Sequence, residues 1–301
     1  MTLYTHADKN IRKTWIYMIG FFIFIIFLGW VFSLIINSYV ILLISVIFSF
    51  LMSFSSYWYS DRIVLTITRS KPIRKEDNPE LYRIVENLCI TAGLPMPKIF
   101  ILEEEQPNAF ATGRNPQNSV IVVTRGLINR LERAELEGVI AHELAHIGNR
   151  DTLIQTIVIV MVGIVVLMTD FFFRMSFYSR NSSNEEKGSQ SRLFMFLIAA
   201  VLAILSPLFA NLIKFAISRK REFLADATGA LLTRYPEGLA RALEKISYDS
   251  HNLKVANDAT AHLYIVNPFR GKESVSWLHK LFMTHPPIEE RIKALRGMEI
   301  N

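Results

Sequence analysis

From Trp15 to Ile36 the chain runs 22 residues without a charged side chain. At a rise of about 1.5 Å per residue, a helix of that length crosses a hydrocarbon core of roughly 30 Å. After the polar break Asn37-Ser38 a second run extends from Tyr39 to Trp58. A third runs from Leu153 to Phe173, interrupted by Gln155 and Asp170, and a fourth from Leu193 to Ile213, with Pro207 and Asn211 near its end. The expectation is four membrane helices in two hairpins, and the second pair is also compatible with a buried or partly inserted hairpin. These runs explain why 51% of residues are hydrophobic and mean hydropathy is +0.27, both high for a domain in water. A cleaved leader fits poorly, because the first run is long and a second follows at once.

The net charge of +6 reads as membrane topology, since Lys and Arg gather on cytoplasmic flanks. Lys9, Arg12 and Lys13 precede the first run; Arg62, Arg69, Lys71, Arg74 and Lys75 follow the second; Lys214, Arg219, Lys220 and Arg221 follow the fourth. An even number of crossings separates these clusters, so all three fall on one side, with a cytoplasmic amino terminus. The loop from Arg174 to Arg192 is discordant, holding four basic residues against Glu185 and Glu186. No nucleic-acid motif is present, and no nucleic-acid partner is expected. The single cysteine, Cys89, excludes an intrachain disulfide and any Cys-based zinc cluster; among Leu81, Ile84, Val85 and Leu88 it reads as a packed thiol.

The soluble segment between the second and third runs carries the chemistry. Helical spacing covers Asn78 to Gly93, and Lys98 to Leu102 and Ser119 to Thr124 read as short strands. Thr124 is placed to cap a helix through Leu131, and another helix covers Ala134 to Asn149. On that helix lies His142-Glu143-Leu144-Ala145-His146, an H-E-x-x-H pattern. Residues four apart share a helix face, so both imidazoles can hold one metal ion while Glu143 reaches a water beside it. The bland alternative is an ordinary surface helix with two histidines.

A catalytic zinc site needs a third protein ligand and an open position. Glu222 is the downstream candidate, with His279 and His285 as competitors; Asp226, four residues beyond Glu222, is spaced to hydrogen-bond a ligating imidazole. The same cluster also reads as the basic flank of a membrane helix carrying an ion pair. Further helices are expected over Ser218 to Leu232, Pro236 to Ser247 and Pro287 to Arg296, with loop from Asn252 to Ser274.

Gly138 to Asp151 resembles the zinc-site helix of the HtpX/Ste24 family of membrane-embedded metalloproteases. Pro107 to Gly113, Arg219 to Asp226 and Thr284-His285-Pro286-Pro287 with Arg291 also resemble that family, so the likeness covers nearly the whole chain. It implies one Zn2+ held by His142, His146 and Glu222, with Glu143 as general base. Asp226 is implied as the partner of a ligand imidazole, and Asn149, closing the same helix, is grouped with it. His285 and Arg291 are implied to steady charge on the tetrahedral intermediate, although Arg291 also reads as a simple ion-pair partner of Glu222 or Glu289. Asn108, Ala109, Phe110, Ala111, Thr112 and Gly113 are implied to form an edge strand that takes extended substrate.

The expected fold is a mainly α membrane protein with a small β element. Its four transmembrane helices accompany a zincin-like (gluzincin) domain split by the second membrane hairpin. The boundaries are a cytoplasmic tail (1–13), hairpin 1 (14–59), the first catalytic half (60–152), hairpin 2 (153–213) and the second half (214–301). His146 stands roughly 10 Å from the start of the third run, and Glu222 about 13 Å beyond the fourth, which puts the metal close to the bilayer. The expected activity is a zinc metalloendopeptidase of the cell (inner) membrane, cleaving misfolded or damaged membrane proteins at the cytoplasmic face. Trimming of prenylated proteins is the enzymatic rival, separable by assay of a prenylated peptide. A non-enzymatic metal-binding scaffold is the rival of another class, and it predicts no chelator-sensitive proteolysis.

Overall fold

The computed structural model describes residues 3–178, 197–198, 200–201, 219–249, 263–266 and 286–298. Helix α1 (Leu3–Ile36) and helix α2 (Tyr39–Trp58) form a hairpin. Two spans, Ala7–Leu34 and Tyr39–Trp58, are long and apolar enough to cross a membrane. Their lipid-facing character is visible in what stays uncovered: Ile19, Ile23 and Phe27 of α1, and Leu43, Ile47, Phe50 and Phe54 of α2. Gly29 permits the close approach of the pair, because a Cβ there would lie 2.1 Å from Ser45 Oγ.

A short helix α3 (Ser60–Thr68) and a two-residue strand β1 (Lys71–Pro72) follow; neither was expected, since both are too short to show a period. Helix α4 (Pro79–Ala92) is capped by Asn78, whose side chain accepts from the Leu81 N–H, and ends at Gly93 in the left-handed region. Strands β2 (Lys98–Leu102), β3 (Ala109–Gly113) and β4 (Ser119–Thr124) complete a sheet of order β1-β2-β4-β3, with β2 and β4 parallel and β3 antiparallel to β4. The expected substrate segment is therefore a strand, and it lies on the sheet edge. Thr124 caps helix α5 (Arg125–Arg130) through the Leu127 N–H.

Helix α6 (Arg133–Gly148) opens with a capping box between Glu132 and Glu135. It begins one residue before the expected Ala134, and Asn149 is its C-cap. Its apolar face joins α4 and helix α9 (Pro236–Ser247) through Leu88, Val139, Ile140, Leu144, Leu243 and Ile246. Cys89 lies in this core, where burial pushes its thiol up to about 11. Helix α7 (Asp151–Tyr178) leaves α6 at 81°. It carries the third apolar run and packs Leu153, Ile157 and Met161 against Met18, Phe21 and Ile25 of α1. Most of the fourth run, the Arg174–Arg192 loop beyond Tyr178 and most of the 252–274 region lie outside the described residues. Helix α8 (Arg219–Thr233) lies across α6, and helix α10 (Ile288–Arg296) closes the second half. The α6–α8 crossing is tight at Gly229, where a Cβ would stand 3.0 Å from the His142 backbone nitrogen.

Candidate metal centre

His142 and His146 project from one face of α6 with their Nε2 atoms 3.1 Å apart and their rings at 89°. Glu222 arrives from the first turn of α8. One of its oxygens is 3.9 Å from His142 Nε2 and the other 3.6 Å from His146 Nε2. All three side chains are buried, and their ligating atoms lie within 4.8 Å of one another. Tetrahedral zinc with bonds of about 2.1 Å separates its ligand atoms by roughly 3.4 Å. The three observed separations bracket that value, so these residues fit a zinc ion. A cavity of about 10 Å³ opens on the trio and is walled by Glu143, Ala111, Gln155, Leu263 and Ile265. That volume suits one water.

Each imidazole is backed by a carboxylate. Asp226 Oδ1 lies 2.9 Å from His142 Nδ1. Asp151 Oδ2 lies 3.1 Å from His146 Nδ1. Backing at Nδ1 leaves Nε2 facing the cavity. Asn149 is the C-cap of α6. Its carbonyl accepts from Asn10, and the residue that meets His146 is Asp151, two positions on.

Arg291 is fully buried and donates from Nε and Nη2 to the two oxygens of Asp226, at 2.8 and 2.7 Å, and from Nη1 to the Ile265 carbonyl at 3.0 Å. Its first partner is thus Asp226, neither Glu289 nor Glu222, whose nearer oxygen is 4.0 Å away. Burial alone would raise the Asp226 carboxyl, but the Arg291 guanidinium and His142 hold it down at about 2. Burial drives His142 down to about 4. Burial opposes the charged form of His146 too, yet Asp151, Glu222 and Glu143 outweigh it and lift the ring to about 9. His285 lies outside the described residues.

The edge strand forms one wall of the cavity through Ala111. Its outer side is occupied by residues 263–266. Ile265 N–H donates to the Ala109 carbonyl at 3.0 Å, and the Asn108 amide donates to the Val266 carbonyl at 2.9 Å. Tyr264 packs edge-on against Phe110 at 5.2 Å, and Thr112 meets Thr156 of α7 at 3.0 Å between hydroxyl oxygens. Gln155 is a wall residue that sequence reasoning did not assign to the site. Its signal was available: a polar side chain inside an apolar run, four residues beyond Asp151.

Comparison with known proteins bears on this arrangement. The model of a family described as peptidase family M48 matches residues 75–299, three quarters of the chain and every residue just described around the cavity. The chain belongs to peptidase family M48. A protein described as a protease HtpX homolog from Dictyoglomus thermophilum is 44% identical over 299 residues, covering 99% of this chain and 95% of that protein. Another so described, from Thermococcus sibiricus, is 49% identical over 260 residues, covering 84% and 85%. The crystal structure of Ste24p from S. mikatae shares the fold at a TM-score of 0.50 and 21% identity; the match covers 94% of this chain and 66% of that one. As an M48 peptidase of HtpX type with apolar helices of spanning length, the chain is a membrane metalloendopeptidase.

Proposed function

We propose that the chain binds one Zn2+ through His142, His146 and Glu222 and hydrolyses peptide bonds of misfolded or damaged membrane proteins at the cytoplasmic face of the cell membrane. The observation that carries this reading is the convergence of two Nε2 atoms and a carboxylate on a cavity the size of one water, with Glu143 in its wall. Zinc bound there would acidify a water and polarise the scissile carbonyl. Glu143 takes a proton from the attacking water and returns it to the leaving amine. Asp226 and Asp151 keep the two Nε2 atoms turned to the cavity, and Arg291, joined to Asp226, acts through that carboxylate. His285, in its His-Pro-Pro setting, is assigned to steadying the oxyanion.

Substrate is proposed to add along β3 as a further strand, which explains low selectivity, since backbone groups recognise backbone. The bond from Ile265 N–H to the Ala109 carbonyl has to open first, because one carbonyl lone pair now points at chain rather than substrate. Placement at the bilayer is supported by α7, which follows the metal helix after an 81° bend and carries the third apolar run, and by the three basic clusters. Four crossings, with the catalytic domain split by the second hairpin, are the topology that fits those clusters.

Glu143→Gln tests the chemistry. The variant is expected to keep its zinc and lose chelator-reversible casein hydrolysis in detergent. Turnover near the wild-type rate would remove Glu143 from this role, and preference for a prenylated peptide over an unfolded membrane protein would redirect the substrate class.

A further inference from the structure

The backing of His146 does not end at Asp151. Asp151 is fully buried, and its Oδ1 accepts from Asn10 Nδ2 at 2.8 Å and faces Arg221 Nη1 at 3.4 Å. The same Asn10 amide donates to the Asn149 carbonyl at 2.9 Å, and Asn10 Oδ1 accepts from Arg221 Nη1 at 3.2 Å. One side chain of α1 therefore touches the end of the metal helix, the carboxylate behind His146, and the residue next to Glu222. The contacts span 139 to 211 positions of sequence.

Asn10 is 5% exposed, and asparagine is a poor helix former whose buried amide is costly unless fully bonded. Packing alone would be served as well by an apolar residue, so the amide chemistry needs another explanation. Both amide hydrogens and the carbonyl are spent on residues at the rim of the metal centre. Asn10 also lies outside the stretch matched by the family model.

We propose that Asn10 is a positioning residue for the metal centre. It holds the Asp151 carboxylate so that Oδ2 meets His146 Nδ1, and thereby links docking of the first membrane helix to zinc binding. The inference rests on the zinc reading above. Coupling between two events is reciprocal: loosening Asn10 weakens zinc, and zinc tightens α1.

The test uses the full-length protein in detergent. Zinc affinity is measured by competition with a chromophoric chelator, and ligand geometry by the visible spectrum of the Co2+ form. Asn10→Ala and the isosteric Asn10→Asp, which lacks the amide donors, are each expected to weaken zinc binding by about tenfold, the lower end for residues that orient ligands. Both should also shift the Co2+ bands, while the exposed neighbour Lys9→Ala binds as wild type. In the wild-type protein, zinc should slow hydrogen exchange of α1 amides around Asn10, a measurement that stands even if the variants fold poorly. Wild-type zinc affinity in both Asn10 variants, or exchange in α1 indifferent to zinc, overturns the proposal. A wild-type protein that binds no zinc overturns the metal-centre reading instead.

Discussion

The cavity has two unlike walls. On the ligand side the carboxylates behind the two imidazoles are locked: Asp226 is held by a two-pronged Arg291, and Asp151 by Asn10 and Arg221. On the side of β3 the cover is Leu263 and Ile265, tied down by a main-chain bond to Ala109, the Asn108 side chain and the Arg291 bond to the Ile265 carbonyl. Buried ion pairs are expensive to separate, whereas the ties to Ala109 and Asn108 are neutral hydrogen bonds of about 1 kcal/mol each, and only the bond from Arg291 is charge-assisted. The difference teaches that the metal side is built to stay still and the strand side to open.

The largest expected effect breaks the still side outright. Glu222→Ala should lose the metal measured by atomic absorption and all casein hydrolysis, while the apolar core keeps the fold; retained stoichiometric zinc with activity would remove Glu222 from the ligand set. Next is Arg291→Ala, which leaves the Asp226 carboxylate buried without its guanidinium. Loss of one partner from such a pair costs about 3–5 kcal/mol, so the thermal midpoint should fall steeply, and an unchanged midpoint would show that Asp226 needs no partner.

The third is a pH dependence. In the metal-free protein His146 is lifted to about 9, above its ordinary 6.5. Zinc has to displace that proton, so apparent affinity should drop about tenfold for each pH unit below 9. The raised ring also contributes stability to the metal-free protein that is complete below 6.5 and lost as pH rises through about 9. A zinc titration flat from pH 6 to 8.5 would contradict it. The smallest effect sharpens the mobile side. Asn108→Ala releases the side-chain tie to Val266, and about 1 kcal/mol of easier opening should raise cleavage of a short peptide about fivefold. A rise in KM instead would place Asn108 in direct contact with substrate.

Local rules made much of this legible before any coordinates. Asn78 and Gly93 bracket α4 because capping is written within a few residues, and His142 and His146 share a face because helical periodicity requires it. The two membrane-length helices were readable from the absence of charge alone. The third ligand was not: spacing left Glu222 beside His279 and His285, and only the family resemblance chose among them. The outer contacts were less visible still. Asn10, Asp151 and Arg221 meet across at least 70 positions, and nothing near any of them in sequence announces the others. The partner of Arg291 could not be read from spacing: Glu222 and Glu289 were the candidates, and Asp226 emerged only once α8 and α10 were docked. β3 looked turn-like because Asn108, just before it, and Gly113, its last residue, are turn formers, while its pairing partner β4 lies beyond a short excursion through 116–118.

A chamber that admits one solvent molecule has no room for a polypeptide. The pocket proposed to hold the attacking water is therefore too small for a peptide while Ile265 stays bonded to Ala109. On the proposed reading, how often that bond opens, rather than how fast the peptide breaks, would be the throttle on turnover. A client that itself offers a loose extended stretch, competing for the Ala109 carbonyl, would be selecting itself for destruction by the very disorder that marks it as damaged.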